Sequence, residues 1–435
     1  MRLMFLTGSL AYGGAERHAI TLANRLAERG HECQLAWVKG DSAQLGRLHL
    51  ASPGSAFCLD AARYLDLRAV RRLAGALARH RPQVLVAANP YALLYASLAR
   101  AAARVRVPLI LIYHSTRWPG LKEQAKLLAY RPFMWAAARA VFVCDHQRRY
   151  CTRRALLSPS NTVIHNGVDT DYFQDHWNAP ERRALRAALG YTDTDYVIGS
   201  AAALRPEKNH VQLVEATAGL RGAGLGAKAL LIGDGPTRAA VEGRARARGV
   251  ERDVTVTGFR EDVRSYLAAC DVVCVCSLTE ALSLAAIEAM AMGKPLVHSE
   301  VGGARELVDP GSNGLLFPAG DTAALVQCLA RLADPATRES MGRCARAKAE
   351  TDFGEERMID RYEHLLLGVC DATRAGPARS GSRASPAVPR PVVFLLGPRR
   401  DALSGVSTHL SLLLRSSLAE EFTLVHFEVG SEGRS

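Results

Sequence analysis

The sequence predicts an α/β fold of two domains, each built on a parallel sheet, and three observations carry that prediction. Short apolar runs of strand length alternate with amphipathic helical stretches through most of the chain. The runs fall into two series separated by a polar, turn-rich stretch over residues 165–195 that contains Asn166-Gly167. At 435 residues, the chain also suits two domains of ~150–200 residues better than one.

The first series of strands is expected at residues 3–7, 33–38, 84–88, 109–113 and 140–144, and the second at 196–201, 228–233, 254–257, 272–276 and 295–298. Apolar strands bounded by helices indicate parallel sheets covered on both faces. The second series closes with helices at 321–333, 335–350 and 353–369, which puts the domains at 1–175 and 176–370. Between strands of the first series, residues 118–139 carry Lys122, Lys126, Arg131 and Arg139 among Trp118, Leu127, Leu128, Tyr130, Phe133 and Trp135. That pattern fits an interfacial helix on an anionic membrane and equally a helix packed on the first domain. Pro132 is expected to interrupt any single long helix there. Residues 371–391, rich in Pro, Gly, Ser, Ala and Arg, read as a disordered linker. Beyond it a shift of 391 residues sets Gly14 on Gly405, His18 on His409 and Leu22 on Leu413. Residues 392–435 therefore read as the opening of a second copy of the first domain, as in a fragment of a tandem enzyme.

A composition of 48% hydrophobic and 23% charged residues excludes disorder as the main state. No uncharged apolar run approaches the ~20 residues needed to span a bilayer. The opening MRLMFLTG reads as a buried strand, not a signal peptide. Ten scattered cysteines form no facing CxxC pairs, so the expected compartment is reducing and cytoplasmic, with a peripheral position at the inner face of the plasma membrane as a further expectation. Residues 1–165 hold 24 basic against 8 acidic residues, the remainder 31 against 35. This one-sided excess suits an anionic partner of the first half. No nucleic-acid module accompanies it, so an anionic membrane surface or a lipid-phosphate substrate is the expected partner, beside plain solvation of helix faces.

The most informative stretch runs from Ser277 to Pro295. Glu280 is expected in the loop at the carboxyl end of a strand, where open parallel sheets bind ligands. Glu288 lies about two turns along the following helix. The free N–H groups near Ser283 and Leu284 form a helix N-terminus that attracts phosphate. One carboxylate beside a phosphate site and a second farther along match hexose, diphosphate and ribose, the layout of a nucleotide sugar.

Glu280-x7-Glu288 in this frame resembles the family-4 retaining glycosyltransferases of the type B fold, over residues 1 to about 370. Gly13-Gly14-Ala15-Glu16 is similar to the family's glycine loop, and His114 matches its first-domain active-site histidine. Asn166-Gly167-Val168-Asp169 with Phe173 resembles the interdomain segment. Arg205-Pro-Glu-Lys208-Asn209 resembles the phosphate loop, and Gly233-Asp-Gly235-Pro236 with Gly258-Phe259 the base-pocket turns. Gly302-Gly303 with Glu306, then Asn313-Gly314, follow in family order. One departure stands out: many members carry an arginine where this chain has Ala203, and Arg205 is the expected substitute.

The resemblance implies two Rossmann-like domains facing across a cleft, a nucleotide-sugar donor carrying UDP or GDP, and a glycan or lipid-linked acceptor on the basic first domain. It implies that Glu280 orders the donor sugar, that Glu288 holds the ribose, and that His114 lies in the active site without being the general base. Arg205 and Lys208 would supply the positive charge for the departing diphosphate, so no metal or other cofactor is expected. Gly13, Gly14, Gly233, Phe259, Ser283 and Leu284 complete the expected donor site. Asp169-Thr-Asp171 and Asp193-Thr-Asp195 are read as turn residues and not as a metal site. Against a dinucleotide oxidoreductase, neither glycine run spells GxGxxG. A type B fold epimerase and an idle nucleotide-sugar-binding paralogue remain as alternatives, the latter supported by Ala203. Glu306 is open between a helix cap and a ligand.

Overall fold

The computed structural model describes residues 1–50, 54–114, 121–156, 160–375, 392–397 and 423–428. The first sheet is formed in the order β1 (Arg2–Thr7), α1 (Gly14–Glu28), β2 (Glu32–Trp37), β3 (Ala56–Cys58), α2 (Leu67–His80), β4 (Val84–Ala88), α3 (Asn89–Ala102), β5 (Leu109–Tyr113), α4 (Leu121–Trp135), β6 (Arg139–Phe142), α5 (Asp145–Arg153) and β7 (Asn161–Val163). The second follows as α6 (Ala179–Ala188), β8 (Tyr196–Ala201), α7 (His210–Gly222), β9 (Ala227–Ile232), α8 (Arg238–Ala247), β10 (Val254–Val256), α9 (Arg264–Ala269), β11 (Val272–Val275), α10 (Leu284–Ala291), β12 (Leu296–Ser299), α11 (Ala304–Leu307), β13 (Gly314–Phe317), α12 (Thr322–Arg331), α13 (Pro335–Asp352) and α14 (Glu355–Ala375).

Strand order is β3-β2-β1-β4-β5-β6-β7 in the first sheet and β10-β9-β8-β11-β12-β13 in the second. All pairings are parallel. The central strands β4, β5 and β11 are buried at every position, as sheets covered on both faces require. Each sheet reverses its strand order once, between β1 and β4 and between β8 and β11. Such a switch point opens a crevice at the carboxyl ends of the two strands. The glycine loop follows β1, the Arg205–Lys208 loop follows β8, and the Glu280 loop follows β11. These loops therefore border the two crevices.

Three expectations change. The turn-rich stretch 165–195 contains a helix, α6, whose start is a capping box: Asn178 Oδ1 accepts from Glu181 N at 3.0 Å, and Asn178 N donates back to Glu181 Oε2 at 2.8 Å. Pro132 does not end α4, which runs through it with Leu127, Tyr130 and Met134 buried against the first sheet. Residues 371–375, expected as linker, continue α14; residues 376–391 lie outside the described residues. The expected second-domain helix α14 also crosses back to the first sheet. Met358, Ile359, Tyr362, Leu366, Val369 and Cys370 share one core with Leu3, Phe5, Ile20, Trp37, Val84 and Ile110. Salt bridges flank that packing, Arg29 meeting Asp360 and Glu363 at 2.7 Å each and Arg25 meeting Glu355 at 3.0 Å.

Residues 375–435 form a separate unit. In it β14 (Val392–Gly397) and β15 (Thr423–Glu428) pair in parallel through six residues, as β1 and β2 do. Gly405, His409 and Leu413 lie outside the described residues. No helix among the described residues is long and apolar enough to cross a membrane.

Candidate active site

Gly13 is the N-cap of α1, with extended backbone, and the carboxylate of Glu16 folds back over it. Burial raises the Glu16 carboxyl above its ordinary range, opposed by its own backbone N–H and by Arg205. The segment from Tyr12 to Arg17 then meets the second sheet at four points. The Tyr12 carbonyl accepts from Arg205 Nη2 at 3.4 Å, and the Tyr12 ring lies 4.1 Å, centroid to centroid, from Phe259. Gly14 abuts the start of α10, where a Cβ would stand 3.5 Å from Leu284 Cδ1. Arg17 Nη1 donates to Glu288 Oε1. One short segment of the first domain thus gathers Arg205, Phe259, Leu284 and Glu288, four positions expected at the donor site.

At the second switch point Lys208 Nζ lies 2.5 Å from Glu280 Oε2, and Ser277 Oγ donates to the same oxygen at 3.2 Å. The loops carrying them are tied by Leu278 N donating to the Glu207 carbonyl at 2.8 Å. Below them Ser299 Oγ donates to the Ser277 carbonyl at 2.6 Å. Beside Ser299, His298 has a pKa held below its ordinary value by burial first, with Lys208 adding to the effect and Glu280 opposing it. Gly302 fixes the Glu280 loop from the other side. Its φ of +55° is left-handed, and a Cβ there would run into the Glu280 carbonyl oxygen. Helix α10 starts with Ser283, whose hydroxyl accepts from Ala286 N at 3.3 Å. Gly233 supports the Arg205–Lys208 loop: a Cβ there would strike the Ala202 carbonyl, and Leu204 N donates to the Asp234 carbonyl at 2.9 Å. Gly233 also bridges to Gly258, next to Phe259.

His114 stands apart from this cluster. Its N–H donates to Asn89 Oδ1 at 2.9 Å, and its ring meets His18 edge-on at 4.7 Å; His18 in turn meets Tyr362 at 5.3 Å. Burial pushes the His114 pKa down to about 4 and that of His18 well below its ordinary value, so both are neutral imidazoles. His114 Nε2 and both His18 nitrogens are buried without a hydrogen-bond partner.

Glu306 resolves as a cap. It accepts from Asp145 N at 2.9 Å and His146 N at 3.0 Å, the first two N–H groups of α5, with His165 Nε2 at 2.9 Å. It therefore joins the two sheets. Asp169 and Asp195 serve turns: Asp169 Oδ1 accepts from Asp171 N and Tyr172 N, and Asp195 Oδ2 from Thr192 N. Among the described residues no group of three His, Cys, Asp or Glu side chains could hold a metal ion.

Sequence reasoning assigned no role to Tyr12, Arg17, Ser277 or His298. Ser277 sits inside the informative stretch and Tyr12 beside the glycine loop, which was the available signal. Arg17 and His298 meet their partners only through the fold.

The model described as Glycosyltransferase Family 4 matches residues 12–172, and that for Glycosyl transferases group 1 matches residues 181–348. The chain is 31% identical over 251 residues to the alpha-D-kanosaminyltransferase of Streptomyces kanamyceticus, a match covering 54% of this chain and 64% of that relative. It is 25% identical to the N-acetyl-alpha-D-glucosaminyl L-malate synthase of Bacillus anthracis over 82% of this chain and 94% of that one. The HepE protein of Anabaena, solved in complex with UDP and glucose, superposes with a TM-score of 0.74 at 23% identity, over 85% of this chain and all of that one. With both halves matched in order on two parallel α/β sheets, the chain belongs to the glycosyltransferases of the type B fold, a Glycosyltransferase Family 4 first half joined to a Glycosyl transferases group 1 second half.

Proposed function

We propose that this chain is a metal-independent retaining glycosyltransferase that moves a sugar from a UDP- or GDP-sugar to a glycan or lipid-linked acceptor. The convergence of residues 12–17 on Arg205, Phe259, Leu284 and Glu288 carries the reading, because it brings one side of a glycine loop to a helix N-terminus and a buried carboxylate. Lys208 and Arg205 supply the cations for the departing diphosphate, and the N–H groups at Ser283 and Leu284 the dipole. Arg205 already reaches the glycine loop, which supports it as the stand-in for the arginine replaced by Ala203. Glu280, held by Lys208 and Ser277, orders the donor sugar and supports the oxocarbenium charge, and Phe259 covers the base. Gly13 and Gly14 let the first domain approach the diphosphate, while Gly233 braces the phosphate loop. Glu288 takes the ribose hydroxyls. His114, neutral and half-buried, belongs to the first-domain wall of the sugar site.

The relatives support transfer from an activated sugar: two carry transferase or synthase names for aminosugars, and HepE was solved with UDP and glucose. On α4, Leu128 and Trp135 are exposed and the Arg131 guanidinium lies 4.3 Å from the Trp135 ring centroid, which supports contact with an anionic membrane surface on the cytoplasmic side. Residues 392–435 we read as the start of a second first-type domain, a reading the β14–β15 pairing supports.

Incubation of the full chain with UDP- and GDP-sugars in EDTA, with and without acceptor, tests the proposal. Acceptor-dependent nucleotide release and a product of unchanged anomeric configuration are expected; tight nucleotide binding without turnover on any acceptor overturns it in favour of an idle paralogue. A UDP- or GDP-dependent rise in melting temperature should vanish in Glu288→Ala, and an unchanged rise removes Glu288 from the ribose role.

A further inference from the structure

Glu288 sits in the middle of α10 among Ala286, Ile287, Ala289, Met290 and Ala291, all buried, and its own side chain is 5% exposed. A carboxylate so placed is costly to bury without a partner. Its own helix has none to offer: three and four positions away lie Ala285, Ala291, Leu284 and Met292. The cation comes instead from the other sheet. Arg17, 33% exposed, sits at the start of α1 and donates Nη1 to Glu288 Oε1. Its guanidinium also lies 5.8 Å from the centroid of the buried Phe173 ring, in the segment that joins the sheets. The Gly14–Leu284 and Tyr12–Phe259 contacts fix the start of α1 beneath it. Among the described residues, the one hydrogen bond to the Glu288 side chain is the Arg17 bond at Oε1, which leaves Oε2 for a ligand hydroxyl.

We propose that Arg17 is a positioning residue for donor binding, supplied by the first domain to hold Glu288 in a single orientation so that its carboxylate grips the ribose diol. Donor affinity then depends on the two domains being together, because the residue that grips the ribose and the residue that orients it belong to different sheets. The inference rests on the ribose role proposed for Glu288.

The test compares UDP with 2′,3′-dideoxy-UDP (or the GDP pair, if GDP gives the larger thermal shift), by calorimetry on the full chain as wild type, Arg17→Ala, Arg17→Lys and Glu288→Ala. The wild type is expected to prefer the nucleotide with both ribose hydroxyls by roughly tenfold to a hundredfold, the range for a hydrogen bond to a charged group. Arg17→Ala should lose that preference, as Glu288→Ala does, while still binding the dideoxy nucleotide as the wild type does. Arg17→Lys should recover part of it. Retained dideoxy binding shows that the variants are folded. If Arg17→Ala keeps the full preference, weakens both ligands equally, or binds UDP more tightly, the inference is overturned while the role of Glu288 stands. A wild type that does not distinguish the two ligands, or binds neither, removes the ribose role of Glu288 and this inference with it.

Discussion

Glu306→Ala tests whether the two sheets are joined by a helix cap donated from one to the other. The carboxylate takes the first two N–H groups of α5 at 2.9 and 3.0 Å and stands 2.9 Å from His165 Nε2. Loss of a cap of this kind costs about 1 kcal/mol, up to about 2. The His165 pair, with side chains 29% and 17% exposed, adds about 0.5–1 kcal/mol after solvent screening. The variant should therefore be about 2 kcal/mol less stable at neutral pH, a drop of a few degrees in melting temperature. The effect should fade in acid. Burial alone would raise the Glu306 carboxyl, but the His165 bond and the two N–H bonds outweigh it and hold its pKa below the ordinary 4.5. A carboxyl depressed on folding contributes its full stability above the unfolded value and loses it as pH falls through the folded one. Urea unfolding of wild type and variant at pH 7 and at successive points below 4.5 should show the gap narrowing only below that value. A variant as stable as wild type at pH 7, or a gap that does not change with acid, would refute the capping argument.

Gly302→Ala forces a Cβ toward the Glu280 carbonyl at a left-handed φ of +55°, which costs about 1–2 kcal/mol for the conformation alone. Because the clash moves Glu280 and not Glu288, turnover should fall far more than the nucleotide-dependent thermal shift, and a variant with full turnover and wild-type melting would count against the loop's role. His18 and His114 are neutral in the folded chain, so as pH falls below 6.5 the unfolded state takes up protons first and stability declines toward pH 4, by up to about 3 kcal/mol for His114. His114→Phe should flatten that decline in urea titrations between pH 7 and 4.5, and identical slopes would show that the histidine does not titrate with folding.

The inner strands were legible because a sheet covered on both faces needs uninterrupted apolar residues, as in Val84–Ala88 and Leu109–Tyr113, whereas β3, β7 and β13, three or four residues long at the sheet edges, were not expected. The Glu280 and Glu288 positions were legible because a loop after a strand and a helix start have local signatures, Ser283 among them. Long-range partnerships were not. Nothing in the amphipathic pattern of α14 says which sheet it covers; that depends on Ile359 and Tyr362 finding Leu3 and Trp37, over 300 residues away. Arg17 on α1 has the local look of a solvated helix charge until Glu288 meets it. Glu306 could not be told from a ligand, because the N–H groups it caps belong to the other sheet. The helix α6 was legible and missed: Asn178-Ala-Pro180-Glu181 is a helix-start signature inside a stretch read as turns.

The basic excess of the first 165 residues, read as a sign of an anionic partner, is answered in part within the chain. Glu356, Asp360 and Glu363 on α14 take Arg25, Arg29 and His31, so this share of the charge serves the return of α14 and not a ligand. That return also ranks the links between the two sheets. Burying the α14 side chains Met358, Ile359, Tyr362 and Leu366 in the first core is worth about 1.5–3 kcal/mol each, so together they outweigh any single polar contact elsewhere between the sheets. The Glu306 cap comes next. The contacts of residues 12–17 are weakest: Tyr12 and Phe259 are 44% and 49% exposed, and Arg17 reaches Glu288 through one bond. If the sheets separate, they should part at residues 12–17 first and pivot about α14, so the weakest link is the one beside the residues proposed to hold the donor. Donor binding that uses both sides of that link, as proposed above, would then favour the joined state by mass action.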